Sequence, residues 1–406
     1  KELISSLGIC AMDLFILTCK KQQKINELNN NKYFVSLNEP NWLGWRKQTN
    51  IEIIPQKTDQ HSRSLVLCIS RVFAFERWQL LITALEMYRI LNVNLVVAHI
   101  QSAITSVYNL FKLYENEGIL SIRPGIRFPY TKDMIWDPNS ETEFNGQILL
   151  AHECFYEFRE KTEFIGLIDW DDLLIPSNNF NDLPSVFNNA LIKYPNAGYF
   201  LINKLEAKFE EKSKNVRLFN LRYIMENGIM IAHIYNDEKM VVRPKNLRGF
   251  WMHYSHFLEK EYKSIQLLTN YSIILHLANE DRVENNEFNI PFLRRFNITE
   301  MEKHSNYILS KMKKKNINLL PKKYIYFDSI SECHRLIFAY YKSINPTKSH
   351  CLSYNLCELP KVKQSCTVIK SFFEKKITKN TKNFVYIRIG SKFEEREGCA
   401  NENKRI

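Results

Sequence analysis

Asp169-Trp170-Asp171-Asp172 follows the apolar run Phe164-Ile165-Gly166-Leu167-Ile168 and packs three carboxylates into four positions. If the chain stays extended past Ile168, side chains alternate between faces, so Asp169 and Asp171 point one way and Trp170 the other. Two carboxylates a few ångströms apart repel unless a cation lies between them, and a hard, oxygen-liking ion such as Mn²⁺ or Mg²⁺ suits that place. Such an ion can also bridge two phosphates of a nucleotide-sugar and neutralise the charge that builds on a departing diphosphate. The pattern therefore points to a nucleotide-sugar donor site. Two other readings use the same residues. In one, Asp172 caps a following helix while the other acids face water. In the other, Asp169 is a phosphatase nucleophile with Asp171 as its acid/base, although that motif continues to Thr or Val and here Leu173 follows Asp172.

A buried strand is what must position such a motif, because ligands of open α/β sheets bind beyond the carboxyl ends of the strands. Residues 164–168 read as that strand. Upstream, residues 65–69 form a short apolar run, followed by Trp78, Leu81, Ile82, Leu85 and Tyr88 at helical spacing. Residues 95–100 make a second strand, 103–114 a helix with Gly118 as its stop, and 119–122 a third strand. A Pro-containing, charged loop over 124–143 leads to a helix over 147–160, with Ile148, Ala151, Phe155 and Phe158 on one face. Strands alternating with helices predict an α/β fold, a mostly parallel sheet covered by helices, and Pro176 closes the acidic element.

The chain has 406 residues, of which 45% are hydrophobic, enough for a sizeable core, and its 13 Pro and 11 Gly show no repeat period. Its net charge of +12 is spread over scattered Lys and Arg, densest at Lys311, Lys313, Lys314 and Lys315, which argues against a dedicated nucleic-acid surface. Of nine cysteines, Cys333, Cys351, Cys357, Cys366 and Cys399 fall in the last quarter without zinc-site spacing, so disulfides in an oxidising compartment are expected there. Cys68 and Cys154, inside apolar stretches, read as small buried hydrophobes. Residues 1–20 read either as a signal anchor or as a buried helix, being mostly apolar but short and interrupted by Asp13. Lys20, Lys21 and Lys24 follow the run and favour a cytosolic C-terminal side. Residues 21–60 are polar and read as a stem or linker, 61–320 as the main domain, and 321–406 as a Cys-rich extension.

Several stretches resemble glycosyltransferase family 92: Leu67-Cys68-Ile69-Ser70 with Trp78 and Glu86, Leu113-Tyr114 with Gly118, and Gly146-Gln147 through His152-Glu153-Cys154. The acidic motif through Pro176, then Val242-Arg243-Pro244 with His253, complete the match. The resemblance implies a GT-A-like nucleotide-sugar fold and a Golgi type II membrane setting with a lumenal domain. It further implies transfer of a hexose, galactose from UDP-galactose, to a glycan or glycoprotein acceptor with inversion. Inversion requires a general base near the acceptor hydroxyl, for which Asp172, Glu226 and Asp237 are the candidates. The implied donor contacts are Ser70, Arg71, Asp169 and Arg243, and the implied metal ligands are Asp169, Asp171 and His253. His276 stands in the place of a second family histidine. There the family continues with Tyr and Arg, whereas this chain has Leu277 and Ala278, and Asn92 replaces a family Gly. A metal-dependent hexosyltransferase and a catalytically weakened relative that only binds glycan or nucleotide-sugar are the two function classes left open.

Overall fold

Two short antiparallel pairs precede the main body: β1 (Glu2–Leu3) with β2 (Phe15–Ile16), and β3 (Tyr33–Glu39) with β4 (Lys47–Ile53). The computed structural model describes residues 2–3, 10, 12, 14–16, 33–39, 47–53, 57–132, 134–209, 219–227, 229–278, 288–289, 295–314, 320–343, 351–377 and 384–399. Among the described residues of 1–20, Glu2–Leu3 and Phe15–Ile16 are strand rather than helix, and Cys10 is bonded to Cys351. No helix among the described residues is long and apolar enough to cross a membrane. The second pair puts a regular ladder inside the segment read as a linker. There Tyr33, Val35 and Leu37 fall opposite Ile53, Ile51 and Thr49, a period of two that the neighbouring Asn-rich stretch and Pro40 obscure.

The main body begins with β5 (Arg63–Val72), α1 (Trp78–Ile90), β6 (Leu95–Ile100), the short β7 (Ser102–Ile104), α2 (Thr105–Asn116) and β8 (Leu120–Pro124). It continues through α3 (Gln147–Phe158), β9 (Thr162–Ile168), β10 (Asp172–Pro176), α4 (Leu183–Lys193), β11 (Ala197–Phe209) and α5 (Leu221–Asn227). The last members are β12 (Ile229–Val242), β13 (Lys263–Leu267), β14 (Ser272–Ala278) and β15 (Phe288–Asn289). In β5 and β9 near-continuous apolar runs are buried on both faces, as parallel strands under helices must be. The side chain of Asp182 caps α4 by accepting from the Ser185 backbone N–H at 2.8 Å.

These strands run β10-β14-β11-β12-β9-β5-β6-β8, with β13 and β15 added to β11 and β12. The half β9-β5-β6-β8 is parallel, but β12 is antiparallel to both neighbours and β10 to β14, so the sheet is mixed rather than mostly parallel. Four residue steps from Ile168 to Asp172 reach at most about 14 Å. In a flat sheet β9 and β10 would be four strand spacings apart, about 19 Å. The sheet is therefore curled, and the register shifts of β11 against β12, between Ile202 and Lys204 and between Glu206 and Ala207, supply local bending. This curl draws residues of β11, β12 and β14 around the acidic turn.

Cys68 of β5 and Cys154 of α3 are bonded to each other, a correction to their reading as plain buried hydrophobes. The bond closes a separation of 86 residues. Replacing both by Ala should cost about 4.6 kcal/mol by the loop-entropy relation. An unchanged denaturant midpoint and slope would remove the bond from the account of stability.

The extension carries α7 (Ile325–Ser343), after α6 (Ile298–Lys314), and ends in a long antiparallel hairpin, β16 (Ser365–Ile377) with β17 (Phe384–Glu397). Cys333 pairs with Cys357 and Cys366 with Cys399, as the density of cysteines there suggests, while Cys351 reaches back to Cys10. Cys19 lies outside the described residues. β16 pairs with β7, and Arg388 of β17 bonds Glu153 of α3, so the extension is tied to the main body at several points. Pairing with β16 is why residues 102–104 are strand rather than the first turn of α2.

Candidate active site

The chain does not stay extended past Ile168: the Asp172 N–H donates to the Asp169 carbonyl at 3.2 Å, a tight turn that buries Trp170 against Phe75 and Phe111. The turn separates the roles of the three acids. Asp172 is fully buried, with Lys204 at 3.3 Å on one oxygen and Lys239 at 3.4 Å on the other. Asp169 is held on both oxygens, by the Gln147 amide at 2.6 Å and the Lys239 ammonium at 2.7 Å. Burial alone would raise its pKa, but Lys239 and Arg71 outweigh that and hold it below the usual carboxylate value. Asp171 is the accessible one, its side chain 39% exposed.

Cross-strand register explains what faces Asp171. Asp172 of β10 lies opposite His276 of β14, which in turn lies opposite Glu206 of β11. The His276 ring bonds Glu206 through Nδ1 at 2.9 Å and presents Nε2 to Asp171 at 3.5 Å. Burial works against charge on His276, yet its bonds to Asp171 and Glu206 raise its pKa to about 10. The crowding of the site likewise works against ionised Asp171, and His276, Lys204 and Arg77 outweigh it, holding this carboxyl well below its usual range. The backbone is fixed as well, because the Leu277 N–H donates to the Asp171 carbonyl at 2.6 Å.

The strands bring Ser70 level with Asp169, since Ile69 pairs with Ile168, and both line a pocket with Gln147, Ile148 and Lys239. Strained backbone gathers at this end of the sheet. Arg71 has φ 104°, and Phe144 and Asn145, just before α3, have φ 44° and 56°. Each such non-glycine residue costs about 1–3 kcal/mol and persists where surrounding contacts impose it, most often at ligand sites.

A model of Glycosyltransferase family 92 matches residues 63–325, well over half of the chain. This chain belongs to glycosyltransferase family 92. Among its relatives is a family 92 protein of Caenorhabditis elegans, 24% identical over 330 residues, an alignment covering 75% of this chain and 64% of the relative. A second from the same organism is 27% identical over 330 residues, covering 73% and 62%, and a third is 26% identical over 387 residues, covering 88% and 72%. The alignments thus take in a little under two thirds of the first two relatives.

Within the family 92 region the structure gathers Ser70, Asp169, Asp171 and Asp172 and adds His276, Glu206, Gln147, Lys204 and Lys239. Among the described residues, the acidic and imidazole groups able to hold an ion together are Asp171, Asp172 and His276, whose ligand atoms lie within 4.8 Å of one another. His253 instead bonds the Glu238 carbonyl at 2.7 Å and packs against Trp251. Arg243 follows Val242, which pairs with Ile165, so it sits toward the opposite end of β9 from Asp169, bonded to the Pro195 and Ala197 carbonyls at 3.0 Å. Glu226 bonds Arg222 on α5 at 3.4 Å, and Asp237 lies in β12 with its side chain outside the described residues. Neither helix-capping by Asp172 nor a free Asp169 nucleophile survives: Asp172 begins a strand, and both oxygens of Asp169 are engaged. Lys204 and Lys239 carry a signal that sequence reading passed over. Each borders apolar strand residues, Lys204 before Leu205 and Lys239 before Met240-Val241-Val242, and lysine is almost never buried unless paired.

Proposed function

We propose that this chain is a metal-dependent glycosyltransferase with a GT-A-like donor site, moving a hexose from a UDP-sugar, galactose being the sugar the family resemblance implies, to a glycan acceptor with inversion. The observation that carries the reading is the Glu206–His276–Asp171 arrangement at the end of the family 92 sheet. Two ligand atoms on one octahedral ion, each about 2.1 Å from it, sit about 3 Å apart. The 3.5 Å between His276 Nε2 and Asp171 Oδ2 is close to that spacing. Glu206 on Nδ1 is the carboxylate–histidine support that orients a ligating ring, whose Nε2 proton would leave when an ion binds. The residues therefore fit Mn²⁺ or Mg²⁺, with Asp171 and His276 as ligands. The ion, when bound, supplies positive charge to the diphosphate as it leaves.

The chain's own groups do the rest. Ser70 and Gln147 line the pocket beside Asp169. Lys239 and Lys204 neutralise Asp169 and Asp172 beneath it, which keeps the floor rigid and leaves Asp171 as the exposed carboxylate. Asp172 has no access to an acceptor hydroxyl, so it acts as a buried counter-ion rather than as the base. The disulfides suit an oxidising compartment, and the lumen of the secretory pathway, with the Golgi membrane as the family setting, is the proposed location.

Purified chain incubated with UDP-hexoses, glycan acceptors and Mn²⁺ should release UDP only when donor, acceptor and metal are all present. The second reading, a relative that binds without turnover, is favoured by Leu277 and Ala278 in place of Tyr and Arg, Leu277 being fully buried and so offering nothing to a phosphate. Saturable UDP-sugar binding without UDP release would decide for it.

A further inference from the structure

The segment 351–357 of the extension is clamped at both ends, Cys351 to Cys10 and Cys357 to Cys333 on α7. Between the clamps it touches the acidic turn by two routes. The first runs through the strained turn before α3. The Leu352 carbonyl accepts from the Phe144 N–H at 2.7 Å, and the Asn145 side-chain oxygen accepts from the Tyr354 N–H at 2.7 Å and the Ser353 hydroxyl at 2.9 Å. Two residues on, the Gln147 amide holds Asp169.

The second route is direct. The Arg71 guanidinium lies 4.5 Å from the centre of the Tyr354 ring, with the Phe144 ring 5.9 Å away. Tyr354 is itself backed by Phe73 at 6.3 Å and by the edge of His334 at 5.2 Å. Arg71 is close enough to Asp169 and Asp171 for their charges to act on it. An arginine held by aromatic rings loses little freedom when it meets a phosphate, whose oxygens its fork matches in pairs.

Resting on the donor-site reading above, we propose that Tyr354 is a positioning residue of that site: it holds Arg71 toward the diphosphate of the donor, making the disulfide-clamped segment 351–357 part of the site. A guanidinium kept at the strand end beside Asp171 supplies a second, fixed positive group for the diphosphate. Without the ring, Arg71 would have to be ordered at the cost of binding.

The test is UDP binding, followed by isothermal titration calorimetry with Mn²⁺ present, for the full chain and four variants. Tyr354→Phe keeps the ring and should bind within about twofold of wild type, whereas Tyr354→Ala should bind about tenfold more weakly. Arg71→Gln should lose at least as much, and adding Tyr354→Ala to it should change nothing more, because a residue acting through Arg71 has no effect once Arg71 is gone. A general loosening of the fold would weaken binding in the Arg71→Gln background as well, and that result overturns the proposal, as does wild-type affinity in Tyr354→Ala. If Tyr354→Ala does not fold, Tyr354→Leu takes its place in both backgrounds with the same two outcomes. Wild-type chain that binds no UDP would overturn the donor-site reading and this inference with it, whereas binding that ignores Tyr354 overturns this inference alone.

Discussion

Asp171→Asn should lower the rate of sugar transfer about 100- to 1000-fold, the usual loss when an electrostatic partner of a transition state is removed. The substitution keeps the size of the side chain and its capacity to accept a bond while deleting the charge. The fold should be unaffected, because the side chain is partly exposed and the position is held by its backbone, through the Leu277 N–H. With Asp171 neutral, His276 Nε2 has no anionic neighbour at 3.5 Å with which to share an ion, so the Mn²⁺ concentration giving half-maximal rate should rise together with the fall in maximal rate. His276→Ala should move both quantities in the same direction, whereas Asp169→Asn, whose oxygens are already taken by Gln147 and Lys239, should leave the metal response closer to wild type. Transfer measured over a range of Mn²⁺ for the three variants separates these effects. A folded Asp171→Asn chain that keeps full activity in the presence of chelator would show that the acids are only a structural turn.

The parallel half of the sheet was legible because its signals are local. The runs at 65–69, 95–100 and 164–168 are each long enough and apolar enough to demand burial on both faces, and the helices between them show their own spacing. The site was legible only in part, since the acidic motif marks the strand end but not what surrounds it. His276 meets Asp171 through register between β10, β14 and β11, strands separated by up to a hundred residues, and no local spacing encodes that register. The expectation that Asp169 and Asp171 share a face failed for a related reason. Extended geometry assumes that the strand continues, but the chain must turn within four residues to reach β10, and the turn gives Asp169 to Lys239 and Asp171 to His276. Arg243 matches the family in sequence order, and order says nothing about which end of an antiparallel strand a residue reaches. The partners of Cys10, Cys68 and Cys154 stayed hidden because cysteine spacing cannot give connectivity.

Lys239→Met should destabilise the protein by about 3–5 kcal/mol, the cost of removing one partner from a buried ion pair. Lys239 is nearly inaccessible, and burial alone would lower its pKa. The carboxylates of Asp169 at 2.7 Å and Asp172 at 3.4 Å outweigh that and keep it charged. Taking it away leaves Asp172 with Lys204 at 3.3 Å and Asp169 with the Gln147 amide and the more distant charge of Arg71, and methionine fills the volume without replacing the lost ammonium. Because the loss is mainly that of an uncompensated charge, neutralising the orphaned partner should restore much of it: Lys239→Met with Asp169→Asn should recover more than half of the stability lost by Lys239→Met alone. Guanidinium unfolding of the single and double variants gives both numbers. A Lys239→Met chain within about 1 kcal/mol of wild type, the range of an exposed pair, would mean that water reaches these carboxylates. In that case the two lysines could not form the dry, rigid floor that leaves Asp171 as the site's exposed charge.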